Sequence, residues 1–294
     1  MVSPRALRDT LERLATGCEW AEGPVWLSAS ARVRFSDVPG NRVLEWDSLS
    51  GETTVYLEDS GFANGRSVDR EGRVVQCSHG RRQVELDDNG TITALCSRWQ
   101  GGRFNSPNDV VVASDGSVWF TDPPYGIHES GREGYPADPE YGGCFVFRFD
   151  PRSGEVAAMI TDMVHPNGLA FSPDEKTLYV ADTGYLQIEG APRAIRAYPL
   201  RDGVVGEGRD VVAVTPGATD GFRVDVEGRI WSSSADSVQV FSPEGALLER
   251  VPVPEKVSNL CFGGPDGTDL FVTATTSLYR LRTTTRDAAA VSLR

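Results

Sequence analysis

Six oxygen-bearing side chains recur at one position of a repeated segment, and together they could hold a metal ion. Each stands at the start of a short apolar strand, and five of the six are Asn or Asp: Glu22, Asn64, Asn108, Asn167, Asp220 and Asn259. Carboxylate and amide oxygens are the ligands that hard divalent cations prefer. If the strand starts meet in space, these residues predict a metal centre that could act as a Lewis acid.

A simpler explanation is available for each residue taken alone. Asn and Asp are common turn residues, above all before Gly, and Asn64-Gly65 has that form. Glu22 does not fit this explanation, because Glu is a poor turn former and the segment CEWAEGPVW places it among two tryptophans. A buried carboxylate requires a partner, and a cation on the axis of the fold would supply one.

The ligand types indicate which cation is expected. Carboxylates and amides, with no Cys and no obvious His, favour one Ca²⁺ ion, and Mg²⁺ or Mn²⁺ are alternatives. Zn²⁺ is a less favoured alternative, because the chain offers too few soft ligands for a tetrahedral zinc site.

A second group of polar residues stands at the ends of the strands that follow: Asp37, His79, Asp122 and Asp182. His79 is a candidate catalytic or substrate-binding residue, although a lone His at a strand end is more often a hydrogen-bonding or surface residue. Arg103, two residues before Asn105, is a candidate for binding an anionic or hydroxylated substrate. The alternative for Arg103 is a salt bridge at a blade edge.

The segment 105–126, NSPNDVVVASDGSVWFTDPPYG, shows the element that must position these residues. A β-branched run is followed by the hairpin signal Asp115-Gly116 and by a return strand. The pattern occurs six times, a third strand follows each copy, and a fourth is expected in most. Such a repeat predicts an all-β fold, a six-bladed β-propeller with a central channel, in which the first strand of each blade lines the channel.

We expect a single propeller domain over residues 1–294, with blades at approximately 19–60, 61–101, 102–161, 162–213, 214–254 and 255–294. The N-terminal segment is expected to form a short helix or to add a strand to the last blade. Two blades carry long loops, at 123–143 and around 183–193, after their second strands. Because second strands end where first strands begin, the loop 123–143 is expected to cover the channel mouth as a lid.

Composition excludes several classes of function. The formal net charge of −13 opposes binding to nucleic acid or anionic membranes. No apolar run approaches the length of a membrane span, and the segment MVSPRALRDTLERLATG lacks the apolar core of a secretory signal. Five scattered cysteines without a CxxC motif are typical of a reducing compartment, so we expect a cytoplasmic protein.

The chain resembles the regucalcin/gluconolactonase family of six-bladed propeller hydrolases, which includes proteins like senescence marker protein. The matching segments are AEGPVW, RFNSPNDVVV, DGSVWFTDPPYG, HPNGLAFSPDEKTLYVAD and TDGFRVDVEGRIW. They are more similar to the bacterial gluconolactonase branch than to animal regucalcins. The resemblance implies a divalent metal, usually calcium, held by Glu22, Asn108, Asn167 and Asp220. Asn105 stays open as an alternative to Asn108.

Together with the convergent oxygen donors, the resemblance implies a metal-dependent hydrolase that opens a sugar lactone, and we expect a monomer or weak oligomer. The resemblance implies Asp220 as the base, but a cation-bound carboxylate is a weak base, so His79 or an acid outside the ligand set stays open. Arg103, Asn105 and Tyr125 are expected to contact substrate hydroxyls.

Two alternatives to the lactonase remain. The first is an organophosphate or aryl ester hydrolase that uses the same metal. The second is a non-enzymatic propeller with a protein-binding face, which has no need for convergent oxygen donors.

Overall fold

Each sequence repeat folds into one antiparallel sheet, whose strands follow one another in chain order. The computed structural model describes residues 10–289. Its sheets form a six-bladed β-propeller, and the predicted fold class is confirmed. The innermost strands of neighbouring blades contact one another around the axis, so they line the channel.

The first half of the chain begins with β1 (Glu12–Thr16). Blade 1 contains β2 (Ala21–Leu27), β3 (Arg32–Asp37), β4 (Arg42–Asp47) and β5 (Thr53–Leu57). Blade 2 contains β6 (Ala63–Val68), β7 (Val74–Ser78), β8 (Gln83–Asp88) and β9 (Thr91–Cys96). A small hairpin follows, β10 (Arg98–Trp99) and β11 (Gly102–Arg103). Blade 3 contains β12 (Val110–Val112), β13 (Val118–Thr121), β14 (Val146–Asp150) and β15 (Glu155–Ile160).

The second half completes the ring. Blade 4 contains β16 (Pro166–Phe171), β17 (Thr177–Asp182), β18 (Ala194–Arg201), the short β19 (Val204–Val205) and β20 (Arg209–Ala213). Blade 5 contains β21 (Phe222–Val224), β22 (Ile230–Ser232), β23 (Ser237–Phe241) and β24 (Leu247–Pro252). Blade 6 contains β25 (Val257–Gly263), β26 (Asp269–Ala274) and β27 (Ser277–Arg282). Two 3₁₀ turns, Tyr125–Ile127 and Gly184–Leu186, lie in the long loops.

The N-terminal strand β1 closes the ring. It pairs antiparallel with β27 and becomes the outermost strand of blade 6, with Glu12 opposite Arg280. Of the two expectations for the N-terminal segment, the added strand is therefore confirmed for residues 12–16, whereas residues 1–9 lie outside the described part. Joining the two chain ends in one sheet prevents the ring from opening between its first and last blades.

Aromatic packing between blades 2 and 3 positions a segment of the candidate site. Phe104 is fully buried, and its ring lies 5.0 Å from that of Phe120 and 5.1 Å from that of Phe147. Each such aromatic pair contributes about 0.5–1.5 kcal/mol beyond its buried area. This packing fixes the segment that runs from Arg103 to Asn108.

Among residues 10–289, no helix is long and apolar enough to cross a membrane.

Candidate metal centre

The six predicted oxygen donors gather at one end of the channel. Five of them are buried, and Asp220 alone is half-buried. Hydrogen bonds join side chains of different blades: the Asn259 amide donates to a carboxylate oxygen of Glu22 in the neighbouring blade at 3.0 Å, and to a carboxylate oxygen of Asp109 across the channel at 3.3 Å. The repeat position therefore does bring these side chains together.

Glycine follows the donor in four blades and allows the inner strands to approach closely: Gly23, Gly65, Gly168 and Gly221. The Gly65 amide donates to the Asn108 carbonyl at 2.8 Å, and the Gly168 amide donates to the Asp220 carbonyl at 3.0 Å. A Cβ on Gly168 would lie 2.4 Å from that carbonyl oxygen, far inside van der Waals contact. Glycine at this position thus allows the inner strands of neighbouring blades to pack in direct contact.

In blades 1, 2 and 4, the backbone at the donor position is a bulged strand rather than a turn. The pairing of the first and second strands shifts register between Glu22 and Val25 in blade 1. It shifts between Ala63 and Arg66 in blade 2 and again at the equivalent place in blade 4. Bulges redirect side chains at the ends of sheets. The turn explanation for Asn64-Gly65 is therefore wrong, because this pair lies within β6.

Three carboxyl groups at the centre have raised pKa values. Burial raises the pKa of Glu22 well above its usual range, and the charges of Asp220 and Asp109 raise it further. Burial also raises the pKa of Asp220 to about 7, and the Lys256 ammonium opposes this shift. The pKa of Asp109 is raised by burial and lowered by Arg223, whose Nη1 lies 3.8 Å from its carboxylate.

The donor set fits a hard divalent cation. Clustered buried carboxyl groups stay ionised together only with positive charge beside them, and oxygen-rich sets suit Ca²⁺, Mg²⁺ or Mn²⁺. Within residues 10–289, no group of three His, Cys, Asp or Glu side chains is arranged to hold a metal ion. A cation here would therefore need amide oxygens as ligands.

Asn167 has an arrangement that suits such a ligand. Its amide nitrogen is 3.3 Å from the Thr183 hydroxyl, which leaves the amide oxygen as the atom available to a cation. The Tyr125 hydroxyl shares the same Thr183 oxygen at 2.5 Å. Thr183 thus connects Tyr125, a predicted substrate contact, to Asn167, a predicted metal ligand.

His79 is fully buried and has three polar partners. Its Nε2 lies 3.2 Å from the amide nitrogen of Asn64 and 3.3 Å from that of Asn108. Its Nδ1 lies 3.1 Å from the Glu133 carbonyl oxygen. Burial lowers the pKa of His79 to about 4, while the hydrogen bond to Glu133 raises it. The ring is therefore neutral near neutral pH.

The three aspartates at second-strand ends brace the loops that enter the first strands. Asp37 accepts from the backbone amides of Glu19 and Trp20. Asp122 accepts in the same way from the amides of Asn105 and Ser106. Asp182 does so from the two residues that precede Pro166. These hydrogen bonds indicate that the three aspartates are structural supports of the site.

The loop 123–143, which we call the lid, lies at the donor end of the channel. Its start contacts Thr183 through Tyr125, and the Glu133 carbonyl in its middle contacts His79. Near its end, the Tyr141 hydroxyl donates to the Asp122 carboxylate. The lid is thus held against strand ends that surround the donors, as its position after a second strand predicted.

Arg103 and Asn105 lie at the edge of this region. The Arg103 guanidinium donates to the Arg81 carbonyl at 3.0 Å, and its backbone amide donates to Glu140 at 2.8 Å. The Asn105 side-chain amide donates to the carbonyls of Asp122 and Gly143, and its amide oxygen is buried without a partner in the described part of the chain. Their contacts with substrate stay predictions.

Several residues beside the donors were not selected from the sequence. Asp109 could have been found, since blade 3 has a carboxylate where four other blades have Gly. The charge of Lys256 lowers the pKa of Asp220 and that of Glu133 raises it, but neither residue stands at a repeated position. His165 packs edge-on against Tyr125 at 5.6 Å, and its buried Nδ1 has no partner among residues 10–289.

Comparison with known proteins assigns the family. The model of the family described as "SMP-30/Gluconolactonase/LRE-like region" matches residues 20–276. The chain belongs to this family. The resemblance noted from the sequence segments is therefore confirmed, including the similarity to bacterial gluconolactonases.

Three relatives illustrate the similarity. A gluconolactonase of Zymomonas mobilis subsp. mobilis is 31% identical, over 94% of this chain and 82% of the relative. The pentonolactonase XacC of Haloferax volcanii is 30% identical, over 88% of this chain and 82% of the relative. The solved structure of a Xanthomonas campestris gluconolactonase is 40% identical, with a TM-score of 0.88, over 95% of this chain and 91% of that one.

Proposed function

We propose that the protein is a metal-dependent hydrolase that opens sugar lactones of the gluconolactone type. The observation that carries the proposal is the gathering of oxygen donors and three carboxylates at a channel mouth that a lid adjoins. The names of relatives, a gluconolactonase and a pentonolactonase, support a lactone as the class of substrate. We also propose that the enzyme works as a monomer or weak oligomer.

In this proposal Glu22, Asn108, Asn167 and Asp220 hold one divalent cation. Ca²⁺ is the first candidate, and Mg²⁺, Mn²⁺ and Zn²⁺ are alternatives. When bound, such an ion supplies Lewis-acid chemistry toward a carbonyl oxygen. Asn108 is favoured over Asn105 because its amide nitrogen is joined through His79 to another donor, whereas Asn105 is tied to the base of the lid.

Asp220 is the favoured base. It is the one predicted ligand that is half-buried rather than buried, so water at the mouth of the channel can reach it. A base must come within hydrogen-bond reach of the proton that it takes. The Glu133 carboxylate, whose charge raises the pKa of Asp220 from the lid, is the alternative base outside the ligand set.

The substrate hydroxyls would meet polar groups at the channel mouth. Tyr125 and His165 pack against each other there, and Arg103 and Asn105 are candidates at the edge. A site whose polar groups hydrogen-bond to substrate hydroxyls strongly discriminates against analogues that lack those hydroxyls. This polar surrounding favours a sugar lactone over the alternative substrates, an aryl ester or an organophosphate.

The test compares three substrates on one preparation. The calcium-loaded enzyme is assayed on glucono-1,5-lactone, phenyl acetate and a fluorophosphate, and EDTA-treated enzyme is the control. We expect the highest kcat/KM on the lactone and loss of activity with EDTA. Asp220→Asn should abolish hydrolysis, while Asp138→Asn, the same change at an exposed lid residue, should not. A higher kcat/KM on phenyl acetate, or full lactonase activity without metal, would refute the proposal.

A further inference from the structure

We infer that His79 is a positioning residue, which orients the side-chain amides of Asn64 and Asn108 and ties them to the lid. The inference rests on the proposed function, because it directs the Asn108 amide oxygen to the cation. It gives His79 a role other than proton transfer to or from the substrate.

The partners of the ring determine its tautomer. The Glu133 carbonyl oxygen can only accept, so Nδ1 of His79 must carry the hydrogen of that 3.1 Å bond. In a neutral imidazole the other nitrogen is then an acceptor. Nε2 faces the two amide nitrogens, which are donors, at 3.2 and 3.3 Å. Donor and acceptor types match at all three contacts, and the two amides share the one lone pair of Nε2.

The same contacts determine how the two amides point. A side-chain amide can place either its nitrogen or its oxygen toward a neighbour, and the neighbour decides which. Because Nε2 accepts, both Asn64 and Asn108 present their nitrogens to His79. Their oxygens must then face elsewhere, and for Asn108 this leaves the oxygen for the centre of the channel. Partners of metal-binding side chains act in this way on ligand geometry.

His79 also stands where other blades have a different residue. At the second-strand ends of blades 1, 3 and 4, an aspartate braces the loop of its own blade. In blade 2 the imidazole instead joins three segments: Asn64 of its own blade, Asn108 at the start of blade 3, and Glu133 of the lid. It is fully buried, and both nitrogens are engaged, so neither is free to meet a substrate.

Two substitutions separate the two sides of the ring. His79→Asn places an amide near the position of Nδ1, so it keeps a donor for the lid and removes the acceptor for the two amides. Its calcium Kd, measured by isothermal titration calorimetry, should rise about 10- to 100-fold. His79→Gln places an amide oxygen near the position of Nε2, and its Kd should stay within about threefold of the wild-type value.

The lid should respond in the opposite way. His79→Gln loses the bond to the Glu133 carbonyl, so trypsin should cut faster after the exposed Arg132. His79→Asn should keep the wild-type rate of cleavage there. His128→Asn is the matched control, because His128 is an exposed histidine of the same loop, and it should change neither the calcium Kd nor the cleavage rate.

Three outcomes would overturn the inference. Equal loss of calcium affinity in both His79 variants would mean that the ring only fills space. Unchanged affinity in both, with kcat lower by about 10²-fold or more at saturating calcium, would mean that His79 transfers a proton. Long-range ¹H–¹⁵N spectra of the wild-type protein should show the hydrogen on Nδ1, and a hydrogen on Nε2 would exclude the arrangement without any variant.

Failure of the proposed function would look different. If the wild type hydrolyses no lactone but the two variants still differ in calcium Kd and in lid cleavage, the positioning role stands and the substrate class is wrong. If the wild type binds no divalent cation, the role assigned to His79 is overturned together with the metal centre.

Discussion

Substitution of Gly65 by Ala tests whether the close approach of inner strands sets the geometry of the metal centre. A Cβ on Gly65 would lie 2.3 Å from an Asp109 carboxylate oxygen and 2.7 Å from the Asn108 carbonyl oxygen. Ordinary contact between carbon atoms begins near 3.5 Å. The start of blade 3 must therefore move by about 1 Å, and Asn108 moves with it.

The structure indicates the size of the effect. The backbone of Gly65 lacks the positive φ that would strain alanine, so the loss comes from overpacking, which costs about 1–3 kcal/mol. Displacement of a reacting group or ligand by about 1 Å can lower activity by about 10²-fold. We therefore expect urea unfolding to report a loss of stability in that range, together with a roughly 10²-fold lower kcat/KM at saturating calcium.

Gly142→Ala is the matched control. Gly142 is exposed, and nothing lies within 4 Å of an added Cβ. Alanine there should be neutral, or stabilising by up to about 1 kcal/mol because the unfolded chain loses freedom. A Gly65→Ala enzyme with wild-type stability, calcium Kd and kcat/KM would refute the reasoning that contact between the inner strands positions Asn108.

Three further predictions concern the cation, the thiols and the lid. Calcium at 100 times its Kd should stabilise the fold by about 2.7 kcal/mol, measured as a higher Tm than with EDTA. Burial, together with the charges of Asp122 and Asp182, raises the pKa of Cys144 to about 12. Its alkylation at pH 8 should therefore be about 10³-fold slower than that of a free thiol, and the rate should keep rising with pH beyond 9. Tyr141→Phe removes the hydroxyl that donates to Asp122 and should lower stability by about 1 kcal/mol and raise KM more than it lowers kcat.

Each of these three predictions has a control or an outcome that would contradict it. A Tm that no divalent cation changes would contradict the metal centre. An alkylation rate of Cys144 that levels off near pH 9 would contradict its raised pKa, and the urea-unfolded protein supplies the rate of the free thiol. For the lid, Tyr135→Phe removes an exposed hydroxyl of the same loop and should leave KM unchanged. Equal effects of the two tyrosine substitutions would exclude a specific role for the bond to Asp122.

The repeat alone was enough to predict the propeller and the six donors. A first strand of each blade must line the channel, so residues at one repeated position must approach one axis. Asn64 and Asn259 were found in this way, although the resemblance to known propellers assigned them no role. The same alignment contained the signal for Asp109, at the position where Gly65 and Gly168 stand.

Contacts between non-equivalent segments needed the tertiary structure. Glu133 lies in a loop that only blade 3 has, and its position over His79 depends on how that loop folds back. Lys256 lowers the pKa of Asp220 from another blade. No periodicity identifies Glu133 or Lys256, because neither stands at a repeated position.

The environment of each side chain was likewise decided by packing. Asp122 and His79 both end second strands, yet one braces a loop and the other engages two amides and the lid. The chemistry of a residue type is readable from sequence, and a repeat can place it near an axis. Whether it meets substrate, metal or backbone depends on burial and on the partners that neighbouring blades supply, and these are properties of the closed ring.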